Sequence, residues 1–110
     1  MIKNKRHIIL EIPTNLSHLS GKEYGKHIYQ TQVEAIIQKS FQQEEIPVIV
    51  FPAHICGVSI TFVKGFCEDL LQGFSKQELI RKVNFLSTNF YMGKVVEKSV
   101  LESILFWWNF

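Results

Sequence analysis

The feature that most constrains the fold of this chain is a short apolar run followed by apolar residues at helical spacing. The segment "IPVIVF", Ile46 to Phe51, contains no polar residue. A continuous apolar run of this length predicts a strand covered on both faces, as in a parallel sheet between helices. After "PAHICGVSIT", apolar residues from Phe62 to Phe74 recur at i, i+1, i+4, i+5, i+8, i+9 and i+12. That spacing is one face of a helix, so the unit is predicted to be strand, turn and helix.

The segment before this unit predicts one strand and one helix. "RHIILEI", Arg6 to Ile12, is dense in aliphatic residues and ends at Pro13, which predicts a strand. Ser20 lies three residues before Glu23, the spacing of a capping box. The chain is then free of proline to about residue 43. Its apolar residues fall on one helical face: Tyr29, Val33, Ile36, Ile37 and Phe41.

The segment after the unit predicts a short helical turn, a third strand and a last helix. Gly73 is predicted to end the Phe62 stripe as a C-cap, and "SKQE", Ser75 to Glu78, is a second capping-box pattern. "KVNFLS", Lys82 to Ser87, predicts the strand, and Asn89 is predicted to cap a helix from about Met92 to Phe106.

The predicted order β-α-β-α-turn-β-α indicates an α/β fold, with a small and mostly parallel sheet flanked by helices that are joined by right-handed crossovers. An alternative adds an edge strand, supplied by Thr14 to Leu19 or by the first five residues. A chain of 110 residues has room for one domain, 1–110, with a basic segment at 1–6 and an aromatic tail at 106–110.

Composition excludes several classes of protein. Hydrophobic residues make up 46% of the chain, which is ample for a core, and the net charge is only +2. We expect no nucleic-acid partner, because the one basic cluster, "MIKNKRH", is a weak footprint. No apolar stretch approaches the roughly twenty residues that span a bilayer, and no signal peptide is expected. Cys56 and Cys67 have no disulfide or zinc spacing, so we expect no metal or cofactor, and a reducing cytoplasm.

The turn between the second strand and its helix is the candidate functional site. Gly57, Val58, Ser59, Thr61 and Lys64 are the candidate residues for binding a partner or an anion. Free backbone N–H groups at a helix start attract anions, whereas Ser59 or Thr61 is more often simply a helix cap.

A small cysteine enzyme is a further alternative at the same turn, with Cys56 as nucleophile and His54 as its base. No third polar group that would orient the base is apparent. Packing of Cys56 as a small hydrophobe is the favoured interpretation, so no catalytic residue is assigned.

The stretch "VIVFPAHICGVSITFVKGFCEDLL" resembles the centre of a STAS-like domain, the small α/β fold related to bacterial anti-sigma-factor antagonists. It is most similar to the uncharacterised bacterial branch: a strand, a Gly57-Val58 turn, a Ser-rich segment, Phe62 and an amphipathic helix. The later "ELIRKVNFLSTNFYMGKVVEKSV" is similar to the family's next strand, Asn-containing turn and helix, so the resemblance covers roughly residues 21–103.

The resemblance implies a non-enzymatic regulatory domain that binds another protein, such as an anti-sigma-like or kinase-like regulator. Antagonists of this family carry an Asp-Ser pair at the helix start, and a partner kinase phosphorylates the Ser. In register, the Asp falls on Ser59 and the Ser on Ile60, which has no hydroxyl. The phosphorylation switch is therefore not expected at this position.

Aromatic residues dominate the end of the sequence. Phe106, Trp107, Trp108 and Phe110 are more than one helix end usually buries, and exposed aromatic clusters are typical of interfaces. The tail is predicted to dock against a second copy or a partner chain. The alternative is that the tail folds back and closes the core of its own domain.

Overall fold

A computed structural model describes residues 3–106 of the chain. Its elements, in chain order, are β1 (Lys5–Ile9), β2 (His18–Leu19), α1 (Lys22–Ile28), a π-helical turn (Tyr29–Val33), α2 (Glu34–Gln42), β3 (Ile46–Phe51), β4 (Gly57–Val58), α3 (Ile60–Cys67), α4 (Leu70–Gly73), α5 (Lys76–Lys82), β5 (Asn84–Ser87) and α6 (Gly93–Phe106). None of these helices combines the length and the apolar character needed to cross a bilayer.

Three parallel strands form the main sheet in the order β1-β3-β5, with β3 in the centre. The fold is therefore α/β with a small parallel sheet flanked by helices, as the sequence predicts. β2 and β4 pair in a separate two-stranded parallel sheet. The segment Thr14 to Leu19 thus does supply a strand, but this strand pairs with the turn after β3 and not with the main sheet.

One face of the main sheet carries the hydrophobic core. Ile8 pairs with Ile49, and Ile49 pairs with Phe85, so these three side chains share a face. All three belong to one contiguous cluster with buried residues from every helix. Val48 and Val50 point to the opposite face and are buried without being part of that cluster. Side chains on both faces of β3 are therefore buried, as the sequence predicts for a covered strand.

The first helical segment differs from its prediction at both the start and the middle. The predicted capping box at Ser20 is wrong: α1 begins after Gly21, which has φ 94° and no side-chain cap. The π-helical turn then adds a residue to the helical repeat. The change of phase leaves Ile36 at 41% exposure, although Tyr29, Val33 and Ile37 of the predicted stripe are buried.

Two glycines allow α1 and α3 to pack closely against each other. A Cβ atom on Gly25 of α1 would lie 2.1 Å from the carbonyl oxygen of Phe62, and one on Gly65 of α3 would lie 1.9 Å from that of Lys22. Both distances are far below van der Waals contact with backbone atoms, so neither helix tolerates a side chain at the crossing. Gly25 therefore permits close packing of α1 on α3, although glycine has a low helix propensity.

The apolar stripe that starts at Phe62 is divided between two helices. Residues Phe62, Val63, Phe66, Cys67 and Leu70 are buried as predicted, but the helix breaks after Cys67 and resumes as α4. The predicted C-cap at Gly73 is wrong, because Gly73 is the last residue of α4 and has no positive φ.

Two predicted helix starts are confirmed. Ser75 and Glu78 form a capping box, with the Glu78 N–H donating to Ser75 Oγ at 3.1 Å and the Ser75 N–H donating to Glu78 Oε1 at 3.0 Å. Asn89 Oδ1 accepts hydrogen bonds from the N–H groups of Tyr91 and Met92 at 2.9 and 2.7 Å. Both arrangements satisfy donors that a helix start leaves without an intrahelical partner.

The aromatic tail lies mostly outside the described residues. Phe106, the last residue of α6, is 67% exposed. The predictions for Trp107, Trp108 and Phe110 concern residues that the structure does not describe.

Candidate functional site

The predicted turn is held against the loop that precedes α1. The Cys56 N–H donates to the Ser17 carbonyl at 2.6 Å, and the Ser59 N–H donates to the Leu19 carbonyl at 2.8 Å. Between these bonds, Gly57 pairs with His18 in the small sheet. A Cβ atom on Gly57 would lie 2.6 Å from His18 Cδ2, so the glycine permits the imidazole to pack on the strand.

The hydroxyl groups of the turn are engaged within the chain. Ser59 Oγ accepts a hydrogen bond from the Phe62 N–H at 3.3 Å, which confirms the prediction that this residue caps the helix. Thr61 Oγ1 accepts one from the Gly21 N–H at 3.0 Å and lies 2.9 Å from Ser59 Oγ. Thr61 thereby fastens the start of α1 to the start of α3. Lys64 lies half-buried in the next turn of α3.

A groove runs between the start of α3 and the outer side of α6. Its volume is about 620 Å³. We refer to it as the α3–α6 groove; residues that line it include Val58, Ser59, Ile60, Val95, Lys98 and Ser99. Ser99 Oγ donates to the Val58 carbonyl at 3.2 Å and so joins its two walls. Ile60 is one of the apolar residues that line this groove.

An exposed apolar patch adjoins the α3–α6 groove. It consists of Phe90, Tyr91, Met92 and Val95, whose exposures are 90%, 87%, 38% and 55%. The rings of Phe90 and Tyr91 meet edge to face, with centroids 5.0 Å apart. We call these four residues the aromatic patch. Val95 of the aromatic patch also lines the α3–α6 groove.

Asn89 anchors this surface to the turn. Its side-chain amide donates to the carbonyl groups of Ala53 and Ile55 at 2.9 and 3.2 Å. The same side chain caps the start of α6 through its oxygen. One residue therefore fixes the aromatic patch relative to the loop between β3 and β4.

Residues singled out from the sequence line one side of the α3–α6 groove, and residues of α6 line the other side. Gly57, Val58 and Ser59 were singled out because they follow an apolar strand. The contribution of α6 was missed, because Met92 and Val95 keep the same helical period in the sequence as Val96 and Val100. The structure leaves both on the outside, while Val96 and Val100 are buried.

The two residues of the cysteine-enzyme alternative do not form a nucleophile–base pair. The His54 ring lies with Nε2 3.1 Å from the Pro13 carbonyl oxygen. The Cys56 thiol is directed at the His54 backbone carbonyl, 3.9 Å away, and lies 3.8 Å from the Asn89 amide nitrogen. Cys67 is fully buried, and burial raises the pKa of its thiol to about 12. Among residues 3–106, no cluster of histidine, cysteine or acidic side chains could hold a metal ion.

Charged groups at the end of α3 pair with α1. Glu68, the residue that follows α3, forms ion pairs with Lys26 at 2.9 Å and Lys22 at 3.3 Å, both on α1. The hydrogen bond and charge of Lys26 lower the pKa of the Glu68 carboxyl, and those of Glu68 raise the pKa of the Lys26 ammonium. These groups are exposed, so water screens the interaction and its effect on stability is small.

Comparisons with protein-family models, with characterised proteins and with solved structures gave no significant match to this chain.

Proposed function

We propose that this chain is a non-enzymatic regulatory domain of STAS-like type, which binds another protein through the α3–α6 groove and the aromatic patch. The observation that carries the proposal is the exposure of Phe90 and Tyr91, at 90% and 87%, on a segment that Asn89 holds in place. Aromatic side chains are enriched among the residues that dominate binding energy at protein interfaces. A fixed presentation lowers the entropy lost on binding.

The shape of the surface supports a partner that inserts an apolar side chain beside the exposed rings. Ile60 and Val95 supply apolar walls to the groove, while Lys98 and Glu102 form an ion pair at 3.8 Å and leave its rim nearly neutral. A kinase-like or anti-sigma-like regulator is the class of partner that the family resemblance implies. The free thiols of Cys56 and Cys67 support a reducing compartment such as the cytoplasm.

Phosphorylation at the turn is not part of this proposal. Ile60 has no hydroxyl, and the hydroxyls of Ser59 and Thr61 make hydrogen bonds inside the chain. We therefore propose partner binding without a phosphorylation switch at Ile60.

Substitutions on the exposed surface test the proposal. Tagged wild-type protein, Tyr91→Ser and Val95→Lys are used to capture partners from the native host, followed by mass spectrometry and titration of the purified partner. The partner should bind the wild type and be lost with both variants. Ile36→Ser is the matched control, because Ile36 is an exposed apolar residue on α2, outside the surface. A partner that binds all four proteins equally would rule out this surface.

The alternative, an anion or nucleotide site at Gly57–Thr61, has a separate test. Because both hydroxyls are already used within the chain, phosphate and nucleotides are expected to leave the melting temperature unchanged in a thermal-shift screen. A saturable rise in melting temperature that Ser59→Ala abolishes would favour the anion site over the protein interface.

A further inference from the structure

The outer edge of β1 is open in the part of the chain that the structure describes. β1 is an end strand of the main sheet. Its pairing with β3 uses alternate residues: the Asn4 carbonyl accepts a hydrogen bond from β3 at one end, and the Leu10 N–H donates to β3 at the other. The backbone groups of the residues between them that point away from β3 belong to Lys5, His7 and Ile9. All three residues are exposed, as expected for a strand with an unpaired edge.

A side-chain amide closes this open edge at its far end. Gln32 Nε2 donates to the Glu11 carbonyl at 2.9 Å, and Gln32 Oε1 accepts a hydrogen bond from the Glu11 N–H at 2.7 Å. Glu11 is the next residue after Ile9 whose backbone groups point outward, because their direction alternates along a strand. Gln32 thus makes both hydrogen bonds that a neighbouring strand would make at Glu11. The open edge is therefore limited to Lys5, His7 and Ile9.

We propose that two copies of the chain pair along this edge in an antiparallel manner, with His7 of one copy opposite His7 of the other. In this register Lys5 lies opposite Ile9 of the second copy, so every open residue of each copy has a partner. Residues that face each other in this way exchange both of their N–H···O bonds. The register uses none of the backbone groups that Gln32 already occupies. The contact joins the two main sheets into one continuous sheet and is separate from the α3–α6 groove.

The side chains of this edge are complementary to a second copy in the same register. Ile9 is 68% exposed and falls opposite Lys5, whose aliphatic stem covers apolar surface. Lys3 and Glu11 are both exposed, and each falls opposite the other across the two copies. Opposite charges that face each other across paired strands are favourable. An edge lysine usually prevents pairing between strands, but in this register no lysine faces another lysine.

The short length of β1 makes the proposed contact a transient one. The strand has five residues, whereas each partner of a stable interface contributes about 20–30 residues. We therefore expect a dimer that dissociates on dilution. Sedimentation equilibrium between about 10 μM and about 1 mM protein covers the corresponding range of Kd.

Proline at position 7 tests the pairing. His7→Pro removes an N–H that β3 does not use, and proline is tolerated on an edge strand when the missing N–H faces solvent. Wild-type protein and His7→Ala, the matched control that keeps the N–H, should associate with the same Kd. His7→Pro should weaken association at least about tenfold, because both central hydrogen bonds are lost. Circular dichroism and the urea midpoint verify that the variant is folded.

An exchange of charges tests the register without proline. Lys3→Glu places a carboxylate opposite Glu11 of the second copy and should weaken association at least about threefold at low salt. Lys3→Glu combined with Glu11→Lys should restore the wild-type Kd. If His7→Pro does not fold, this exchange decides the pairing alone.

Three results would overturn the proposal. Wild-type protein that stays monomeric at about 1 mM would show that the edge does not pair. Folded His7→Pro that associates like the wild type would place the contact between copies elsewhere on the molecule. A double variant that associates no more tightly than Lys3→Glu would exclude the antiparallel register. Loss of association with His7→Pro, together with its recovery in the double variant, is the supporting result.

Discussion

Phe66 packs against three other aromatic rings in the core. It is 2% exposed, and its ring contacts those of Tyr29, Phe62 and Phe85 at centroid distances between 5.5 and 6.4 Å. We expect Phe66→Ala to lower the free energy of unfolding by about 3–5 kcal/mol, because the ring is removed from a site that cannot collapse. Urea denaturation measures the change. Phe90→Ala is the control and should change stability by less than about 0.5 kcal/mol; a loss below about 1 kcal/mol for Phe66→Ala would contradict its place in the core.

Tyr29 makes stability sensitive to alkaline pH. Burial, and secondarily the charge of Glu34, raises the pKa of its phenol from 10.0 to about 12. The folded state therefore holds the proton more tightly than the unfolded chain, so this contribution is complete below pH 10 and is lost as the pH rises toward 12. We expect Tyr29→Phe to show a shallower loss of stability than wild type between pH 10 and 12. Denaturation at several pH values tests this; parallel curves for the two proteins would show that Tyr29 ionises normally.

At the α1–α3 crossing, close packing predicts that Gly→Ala substitutions destabilise the protein, whereas helix propensity alone predicts that they stabilise it. Alanine is favoured over glycine in a helix by about 1 kcal/mol, yet a Cβ atom at Gly25 or Gly65 would overlap the backbone of the other helix. We expect Gly25→Ala and Gly65→Ala each to destabilise the protein by at least about 1–3 kcal/mol, the usual cost of overpacking.

Gly73 provides the matched control for these two substitutions. It lies at the end of α4, and nothing lies within 4 Å of a Cβ atom built on it. Gly73→Ala should therefore leave the melting temperature unchanged or raise it slightly. Equal effects of all three substitutions would show that propensity, and not the crossing, determines stability at these positions.

Elements with local signals were predictable from the sequence. The bounds of β3, Ile46–Phe51, follow from its apolar run, and the capping box at Ser75 follows from four consecutive residues. The π-helical turn has no local signature, and the approach of Gly25 to Phe62 joins residues far apart in the chain. The capping box at Ser20 failed because the first turn of α1 is instead tied to Thr61 through Gly21, a partner that only the fold supplies.

At the scale of the whole molecule, a single core predicts cooperative unfolding. Leu19 of β2 and Val58 of β4 belong to the same buried cluster as the main sheet and the helices. The small sheet therefore cannot separate without exposing part of that core. We expect far-UV and near-UV circular dichroism to report the same urea midpoint, as for a two-state transition. Two separated midpoints would show that the small sheet or α6 unfolds independently.

The candidate surface was only half predictable because it is assembled from distant parts of the chain. Gly57 and Ser59 follow a strand, and that position in an α/β fold favours binding sites. Nothing in the spacing of Val95 shows that it faces Ile60, since this depends on how α6 crosses α3. Asn89 was predicted as a helix cap, and its second contact, with the loop after β3, required the fold.

The strands of the main sheet pair in the same order in which the ribosome makes them. β1 and β3 can therefore pair while the chain is still being synthesised. The second edge of β3 stays unpaired until β5 has been made. At about 5–20 residues per second, the roughly 30 residues that separate β3 from β5 take a few seconds to appear. During that time an apolar strand has an unpaired edge, which is a template for association with other chains. The nascent protein is thus most vulnerable to aggregation after β3 emerges, and a chaperone that shields β3 for those seconds would raise the yield of folded protein.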